Sequence, residues 1–286
     1  MSSGASGYEI VIEPSRGVGR VNWRELWEYR DLVILLIRRD FSARYRQTLL
    51  GPLWHLVQPL LTTLVFAIVF ARIAGIPTDG IPAPLFYLCG LLGWNCFAQT
   101  ATQTGLTFVN NSHLFGKVFF PRLIVPLATS ISNLLGAALQ LIPLVVFYVY
   151  YRLKLGPAAV PAPGASILLM PVALAMLAAF ALGMGLWMAA LTTKYRDFAH
   201  LNQFLIQLGM FASPVIFPVS AVGEKWRWLV SLNPLAAPLE LLRVSILGRG
   251  VFDSSSLAVS AGVALTILFA GVLVFQNAAR TATDHA

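Results

Sequence analysis

Apolar runs of about twenty residues recur along the chain, each interrupted by a short polar or basic interval. They cover positions 53–71, 85–109, 123–151, 167–191, 201–217 and 257–275. At 1.5 Å of rise per residue, about 20 apolar residues in helical form cross the ~30 Å hydrocarbon core of a bilayer. Lipid offers no partners to the backbone, so each run must satisfy its own hydrogen bonds as a helix. The pattern therefore predicts six transmembrane helices. The run 123–151 is long enough to tilt or project beyond the bilayer. The run 201–217 is short and ends in SPVIFP, and 167–191 is rich in Ala, Gly and Met, where small residues permit close helix packing.

Two segments break the pattern. Residues 23–50 begin WRELWEYRDLVILLIRRDF, with Leu26, Trp27, Leu32, Leu35 and Leu36 in helical phase among charged residues. The uninterrupted apolar stretch 32–37 is too short to cross, so an amphipathic helix lying in the membrane surface is expected. Residues 219–250 contain WRWLVSLNPLAAPLELLRVSILG, apolar enough to suggest a span yet holding Pro234, Pro238, Glu240 and Arg243. A charge at the bilayer centre costs about 2.5–3.5 kcal/mol on insertion scales, and the prolines remove backbone bonds. A pair of short re-entrant or interfacial helices is expected there, with a single span as the alternative.

Composition agrees with a membrane protein. Of 286 residues, 57% are hydrophobic and 11% charged, the mean hydropathy is +0.74, and a soluble domain carries about 25% charged residues. No room is left for a large soluble domain. Residues 1–22 lack a basic region followed directly by an apolar run and read as a disordered polar tail instead of a cleavable signal. The net charge of +8 sits beside apolar runs without exposed interleaved aromatics, which argues against a nucleic-acid partner. Arg16, Arg20, Arg24, Arg30, Arg38, Arg39, Arg44 and Arg46 precede the first run, and Lys117, Arg122, Lys194, Arg196 and Arg280 fall on the same side. The positive-inside rule then places both the amino terminus and the tail 278–286 in the cytoplasm.

Several chemistries are missing. No G-x-x-x-x-G-K-[ST] loop is present, so any ATP is expected on another polypeptide. His55, His113, His200 and His285 lack metal-ligand spacing, and no G-x-S-x-G occurs. Cys89 and Cys96 are one heptad apart, about 10 Å along a helix, too far for a disulfide. The runs hold almost no Asp or Glu, unlike proton- or sodium-coupled transporters. Their polar residues are neutral: Gln58, Gln99, Gln103, Asn133, Gln140 and Gln207. These read either as interhelical hydrogen bonds or as the lining of a path for a hydroxyl-rich cargo. Phe66 with Phe70, and Phe204 with Phe211, likewise read as packing or lipid-facing rings, or as flat surfaces lining the same path by analogy with base-stacking platforms.

Four stretches resemble the permease subunit of type-2 ABC exporters of polysaccharide, the O-antigen, teichoic-acid and capsule group. They are RRDFSARYRQTLLGPLWHLVQP (38–59), NNSHLFGKVFFPRLIVPLA (110–128), TTKYRDFAHLNQFLIQLGMFASPVIFP (192–218) and SLNPLAAPLELLR (231–243). The resemblance runs in order along nearly the whole chain. It implies an all-α polytopic protein with a six-helix domain over 51–277, gate helices over 219–250, and a homodimer in the bacterial inner membrane. It implies two copies of a cytoplasmic ABC ATPase that hold ATP and Mg, with neither cofactor nor catalytic residue in this chain. The implied cargo is polyprenyl-pyrophosphate-linked polysaccharide, foremost O-antigen, with teichoic acid, capsule, lipid or drug as alternatives. A membrane-embedded glycosyltransferase is the rival from another class, but Glu224, Glu240 and Asp253 are not spaced like catalytic carboxylates.

By the same resemblance, the ATPase would be gripped by the interfacial helix, with Asp40 and Phe41, and by the loop 110–118, with Asn111, His113, Leu114, Phe115 and Lys117. Arg38, Arg39, Arg44 and Arg46 admit two roles: anchoring on anionic membrane lipids, or holding the pyrophosphate of the cargo at a channel entrance. Phe66, Phe70, Gln99, Phe204, Gln207 and Phe211 are the candidate channel lining.

Overall fold

The computed structural model describes residues 23–45, 51–115, 120–251 and 253–281. The expected tail 1–22, the candidates Arg46 and Lys117, and the last five residues lie outside the described residues, as does the side chain of Arg44 within its helix. Among the described residues all regular structure is helical: α1 (Trp23–Glu28), α2 (Arg30–Tyr45), α3 (Trp54–Phe66), α4 (Ala83–Gly105), α5 (Thr107–Asn110), α6 (Ser112–Phe115), α7 (Ile124–Leu155), α8 (Met170–Lys194), α9 (Phe198–Phe211), α10 (Glu224–Ser231), α11 (Ala236–Leu247) and α12 (Ser254–Thr281). A π-helical continuation, Ala67–Ile73, lengthens α3. It stops where Gly75 adopts φ 67° and the Ile76 N–H returns 2.8 Å to the Phe70 carbonyl, a left-handed closure that glycine makes without strain.

Among the described residues, four helical stretches are long and apolar enough to cross a membrane: Trp54–Ile73, Ile124–Leu155, Ala165–Lys194 and Ser254–Arg280. A fifth is obtained if α10 and α11, bent by 99° across a short break, are counted together. The other two expected runs fall short for separate reasons. Asn95, Gln99, Gln103 and three threonines make α4 too polar, and the 14 residues of α9 reach only about 21 Å.

The core is built around α4. Leu85, Phe86, Tyr87, Cys89, Leu92 and Ala101 are fully or almost fully buried, and α3, α7, α8, α9 and α11 all pack against this helix. Its enclosure explains how it carries amides: they are held among other helices and not by lipid. Cys89 and Cys96 are free and buried within it. At the edge of the bundle α12 lies on α8, where the backbones touch. A Cβ on Gly183 would come within 2.7 Å of the Leu268 Cα, and one on Gly271 within 2.5 Å of the Gly183 carbonyl. Glycine at the crossing permits this approach, which raises dispersion contact where lipid supplies no hydrophobic drive.

Candidate functional site

At the amino-terminal end of the bundle, α2 lies on the start of α7. Leu36 is buried with Ile124, Val125 and Ala128, and Leu32, Val33 and Ile37 pack around them. Ile34 and Leu35 point away and are 49% and 61% exposed. The helix thus has one apolar stripe on protein and a second on its outer side. A helix stands where the interfacial element is expected, and α1 is set off from it by a turn at Tyr29.

The same packing brings together residues that the chain keeps far apart. The Arg39 guanidinium donates to Asp40 Oδ1 at 2.8 and 3.0 Å and to Asn111 Oδ1 at 3.3 Å. Asn111 in turn donates to the Thr107 carbonyl at 3.0 Å. So Arg39, Asp40 and Asn111 form one chain of hydrogen bonds joining α2 to the α5–α6 segment. The sequence singles out Arg39 for its charge and Asn111 for its loop, and their contact has no signal in the local sequence. His113 and Arg38 are exposed, whereas Phe41, Leu114 and Phe115 are half-buried.

Phe115 belongs to an aromatic cluster beneath this surface. Its ring lies 5.7 Å from Phe108 and 5.8 Å from Phe120, the Arg122 guanidinium stands 5.6 Å over it, and Phe108 stacks on Phe275 at 4.7 Å. Arg122 also donates to the Ala279 carbonyl. The segment after α4, the start of α7 and the end of α12 are therefore tied together under α2, and a push on α6 meets packed rings.

In the middle of the bundle neutral amides of α4 and α7 pair across the two helices. Asn95 donates to Gln140 at 3.1 Å and Asn133 to Gln103 at 3.3 Å, both between α4 and α7. Gln140 and Asn133 are buried, so these four serve as interhelical hydrogen bonds. Gln99 and Gln58 border a small cavity of about 40 Å³ with His55 and Thr62 between α3, α4 and α7, and the Asn95–Gln140 pair lines it as well. Gln207 is exposed on α9.

The four phenylalanines also divide. Phe66 is 8% exposed and packs edge-on against Phe70 at 5.0 Å and Tyr87 at 5.8 Å, with Phe70 half-buried beside it. Phe204 and Phe211 are 55% and 54% exposed, on a face of α9 shared with Leu201, Leu205 and Leu208. The opposite side of α9 seats Asn202 and Ile206 in the protein.

The opposite end is organised by α10 and α11. The turn between them is set by Asn233, whose side-chain oxygen accepts from the Leu235 N–H at 2.9 Å while its amide donates to Ala212 and Ser213; Pro234 inside that turn has no N–H to lose. α11 then enters the core. Arg243 is completely buried, donating to Glu240 Oε1 at 2.6 Å and to the Pro214 carbonyl at 2.7 Å, with its Cζ 4.0 Å over the Phe86 ring. Glu240 Oε1 also accepts from the Val219 N–H at 3.2 Å. The two charges that argue against a simple span are each other's partners, three residues apart on one helical face. A Cβ on Gly93 would lie 2.6 Å from Leu239 Cδ2, so α11 presses closely on α4. Around this core Arg249 bridges the carbonyls of Asp79, Gly80 and Ala158 at 2.7–3.3 Å, joining three loops.

Comparison with known proteins follows this layout. The ABC-2 type transporter family profile matches residues 31–247, from α2 through the end of α11. The O-antigen export system permease protein of Myxococcus xanthus is 30% identical over 257 residues, 89% of this chain and 95% of that one. Its counterpart in Klebsiella pneumoniae is 24% identical over 86% and 92% of the two chains. The polysialic acid transport protein of Escherichia coli is 22% identical over 85% and 91%. With α2, the aromatic-backed segment after α4 and the buried Glu240–Arg243 turn all inside the matched range, the chain belongs to the ABC-2 type transporter family.

Proposed function

We propose that this chain is the permease subunit of an exporter that moves polyprenyl-pyrophosphate-linked polysaccharide, O-antigen foremost, out across the bacterial inner membrane. The similarity along 89% of the chain to an O-antigen export permease carries the reading. In it, two copies form a channel and each docks a separate ATPase subunit that binds ATP and Mg. Six crossings result when α4, enclosed by its neighbours, and α9 with the segment leading to 217 are added to the four long helices. α10 and α11 then form gate helices at the external mouth, and both termini are cytoplasmic.

Three features of the geometry support this assignment. The basic end of the bundle offers one continuous surface, in which Arg39, Asp40 and Asn111 link α2 to α6, as a handle for an ATPase requires. The exposed Phe204, Gln207 and Phe211 give α9 a face suited to a second copy and to a passing glycan. Arg38 is exposed at the same end as α6, where an anionic lipid-linked cargo would arrive. A capsule-type glycan is the second reading, favoured by the similarity to a polysialic acid transport protein.

Deleting the gene in its native host tests the proposal. The expected result is loss of surface polysaccharide with accumulation of its lipid-linked form inside the cell, and the tagged protein should co-purify with a Walker-motif ATPase. The structure of the accumulated glycan distinguishes O-antigen from capsule. Unchanged surface polysaccharide, or ATP hydrolysis by the purified chain alone, would refute it.

A further inference from the structure

The α10–α11 segment is fastened at both ends to one residue, Asp79. Ser220, in the short helical turn Val219–Ala221 before α10, donates its hydroxyl to Asp79 Oδ1 at 2.5 Å. Arg249, just after α11, donates Nη1 to the Asp79 carbonyl at 3.3 Å and to the Gly80 carbonyl at 3.2 Å. Asp79 and Gly80 have φ of 52° and 70°, and the Ile81 N–H closes on the Thr78 carbonyl at 2.9 Å, the pattern of a type I′ turn, for which Asp-Gly is a preferred pair. A Cβ at position 80 would stand 2.6 Å from Arg249 Nη1, so glycine lets the guanidinium close on both turn carbonyls. The same guanidinium reaches the Ala158 carbonyl at 2.7 Å, which ties the turn to the loop after α7. Asp79 is thus a post fixed to the bundle, and its carboxylate is presented to Ser220.

The two helices that follow Ser220 are held in different ways. Ten of the twelve residues of α11 are buried, and Arg243 bonds it to Pro214. No residue of α10 is buried. Hydrogen bonds hold its ends: Ser220 to Asp79 and the Val219 N–H to Glu240 in front, and Asn233 to Ala212 and Ser213 behind. Beneath it a cavity of about 400 Å³ separates Arg227, Val230 and Ser231 from Ala237 of α11 and Ser260 of α12. An element with few buried contacts opens at low free energy, and across a void of this size few dispersion contacts are lost when it moves.

We propose that the Ser220–Asp79 hydrogen bond is a latch on α10. Closed, it keeps the helix over the cavity; opened, it lets α10 swing away about the Asn233 turn while α11 stays in the core. The motion does not depend on what is exported. Its use as an exit gate rests on the export reading above.

The purified full-length chain in detergent, with neither cargo nor ATPase, tests the latch. Ser260 is 4% exposed and lies on the cavity wall, so Ser260→Cys reports on α10 through its rate of reaction with a water-soluble maleimide, read by peptide mass spectrometry. Cys89 is buried and lies one turn from Gly93 on the face of α4 that meets α11, so it reports on α11. Ser260→Cys should react slowly in the parent background. Ser220→Ala, and Asp79→Gly, which removes the carboxylate while suiting a positive φ, should each speed that reaction about tenfold, the weight of one hydrogen bond to a charged group. The double variant should react no faster than either single, because both remove the same bond, and Cys89 should stay unreactive throughout. Fast reaction in the parent, unchanged rates in the variants, a double variant faster than both singles, or reaction of Cys89 together with position 260 would overturn the latch. If Asp79→Gly does not accumulate, Ser220→Ala decides alone. A negative result leaves the export reading standing, since that reading is tested by surface polysaccharide in cells.

Discussion

The guanidinium of Arg243 lies 4.0 Å over the ring of Phe86, so a charge on α11 is held in the core against the face of an aromatic residue on α4. Glu240 completes its surroundings at 2.6 Å. Breaking such a pair is expensive because the partner stays buried and charged. Arg243→Met should lower stability by about 3–5 kcal/mol, and Glu240→Leu together with Arg243→Met should recover much of the loss, since two apolar side chains leave no charge behind. Phe86→Leu should cost at least the cation–π contribution of about 2 kcal/mol at a desolvated site. Thermal unfolding in detergent checks all three.

Phe66 and Phe204 differ in environment although both are phenylalanines on candidate spans. Phe66→Ala should destabilise the single chain by about 3–5 kcal/mol, the usual cost of emptying a buried aromatic site. The Phe204→Ala, Phe211→Ala double variant should unfold as the parent does but export more slowly. A normal export rate in the double variant would remove α9 from the path.

Arg39 and Asn111 should be coupled. In a double-mutant cycle, Arg39→Ala and Asn111→Ala are expected to interact by about 1 kcal/mol, the scale of one charge-assisted, half-exposed hydrogen bond. The readout that separates coupling from mere folding is ATP-driven export per molecule of membrane-inserted protein. Lower export with normal insertion is the expected result, whereas strictly additive effects would break the proposed link between α2 and α6.

At the α8–α12 crossing, Gly183→Val should prevent accumulation in the membrane. Its side chain would meet the Leu268 backbone below 3 Å, and backbone cannot yield as a side chain can. Gly262→Ala on α12, where a Cβ meets nothing within 4 Å, should be neutral. Membrane-fraction immunoblots distinguish the two.

Asp253 opens α12, accepting from the Ser256 and Ser255 hydroxyls and from both N–H groups. Those hydrogen bonds, the Ser256 hydroxyl foremost, hold its carboxyl well below the usual carboxylate range. A depressed folded value contributes stability that is complete above the ordinary value of 3.8 and lost only as pH falls through the lower one. Asp253→Ala should therefore lower the melting temperature by the same amount at pH 7 and at pH 5. A deficit that shrinks at pH 5 would show that the carboxyl is not held this way.

Much was legible in the order of residues. The long apolar runs at 53–71, 123–151 and 167–191 correspond to Trp54–Ile73, Ile124–Leu155 and Ala165–Lys194, because a span has to satisfy its backbone locally and so writes its length into contiguous sequence. The helix α2 and the short paired helices α10 and α11 were legible for the same reason: charges and prolines at fixed positions interrupt an otherwise apolar run. The roles of the amides were not. Asn95 and Gln140 are 45 residues apart, and nothing near either one says whether it faces a partner helix or a conduit.

The sequence by itself determined that this chain is a helical membrane protein without an ATP-binding loop, since hydropathy, charge placement and missing phosphate-binding glycines are properties of short segments. Only the tertiary structure decided which charges meet. It seated Arg243 between Glu240 and Phe86, joined Arg39 to Asn111, and buried Phe66 while leaving Phe204 outside. Each of these is a contact between distant segments or a consequence of what packs around them, and helix length and polarity do not specify which faces of two helices will touch.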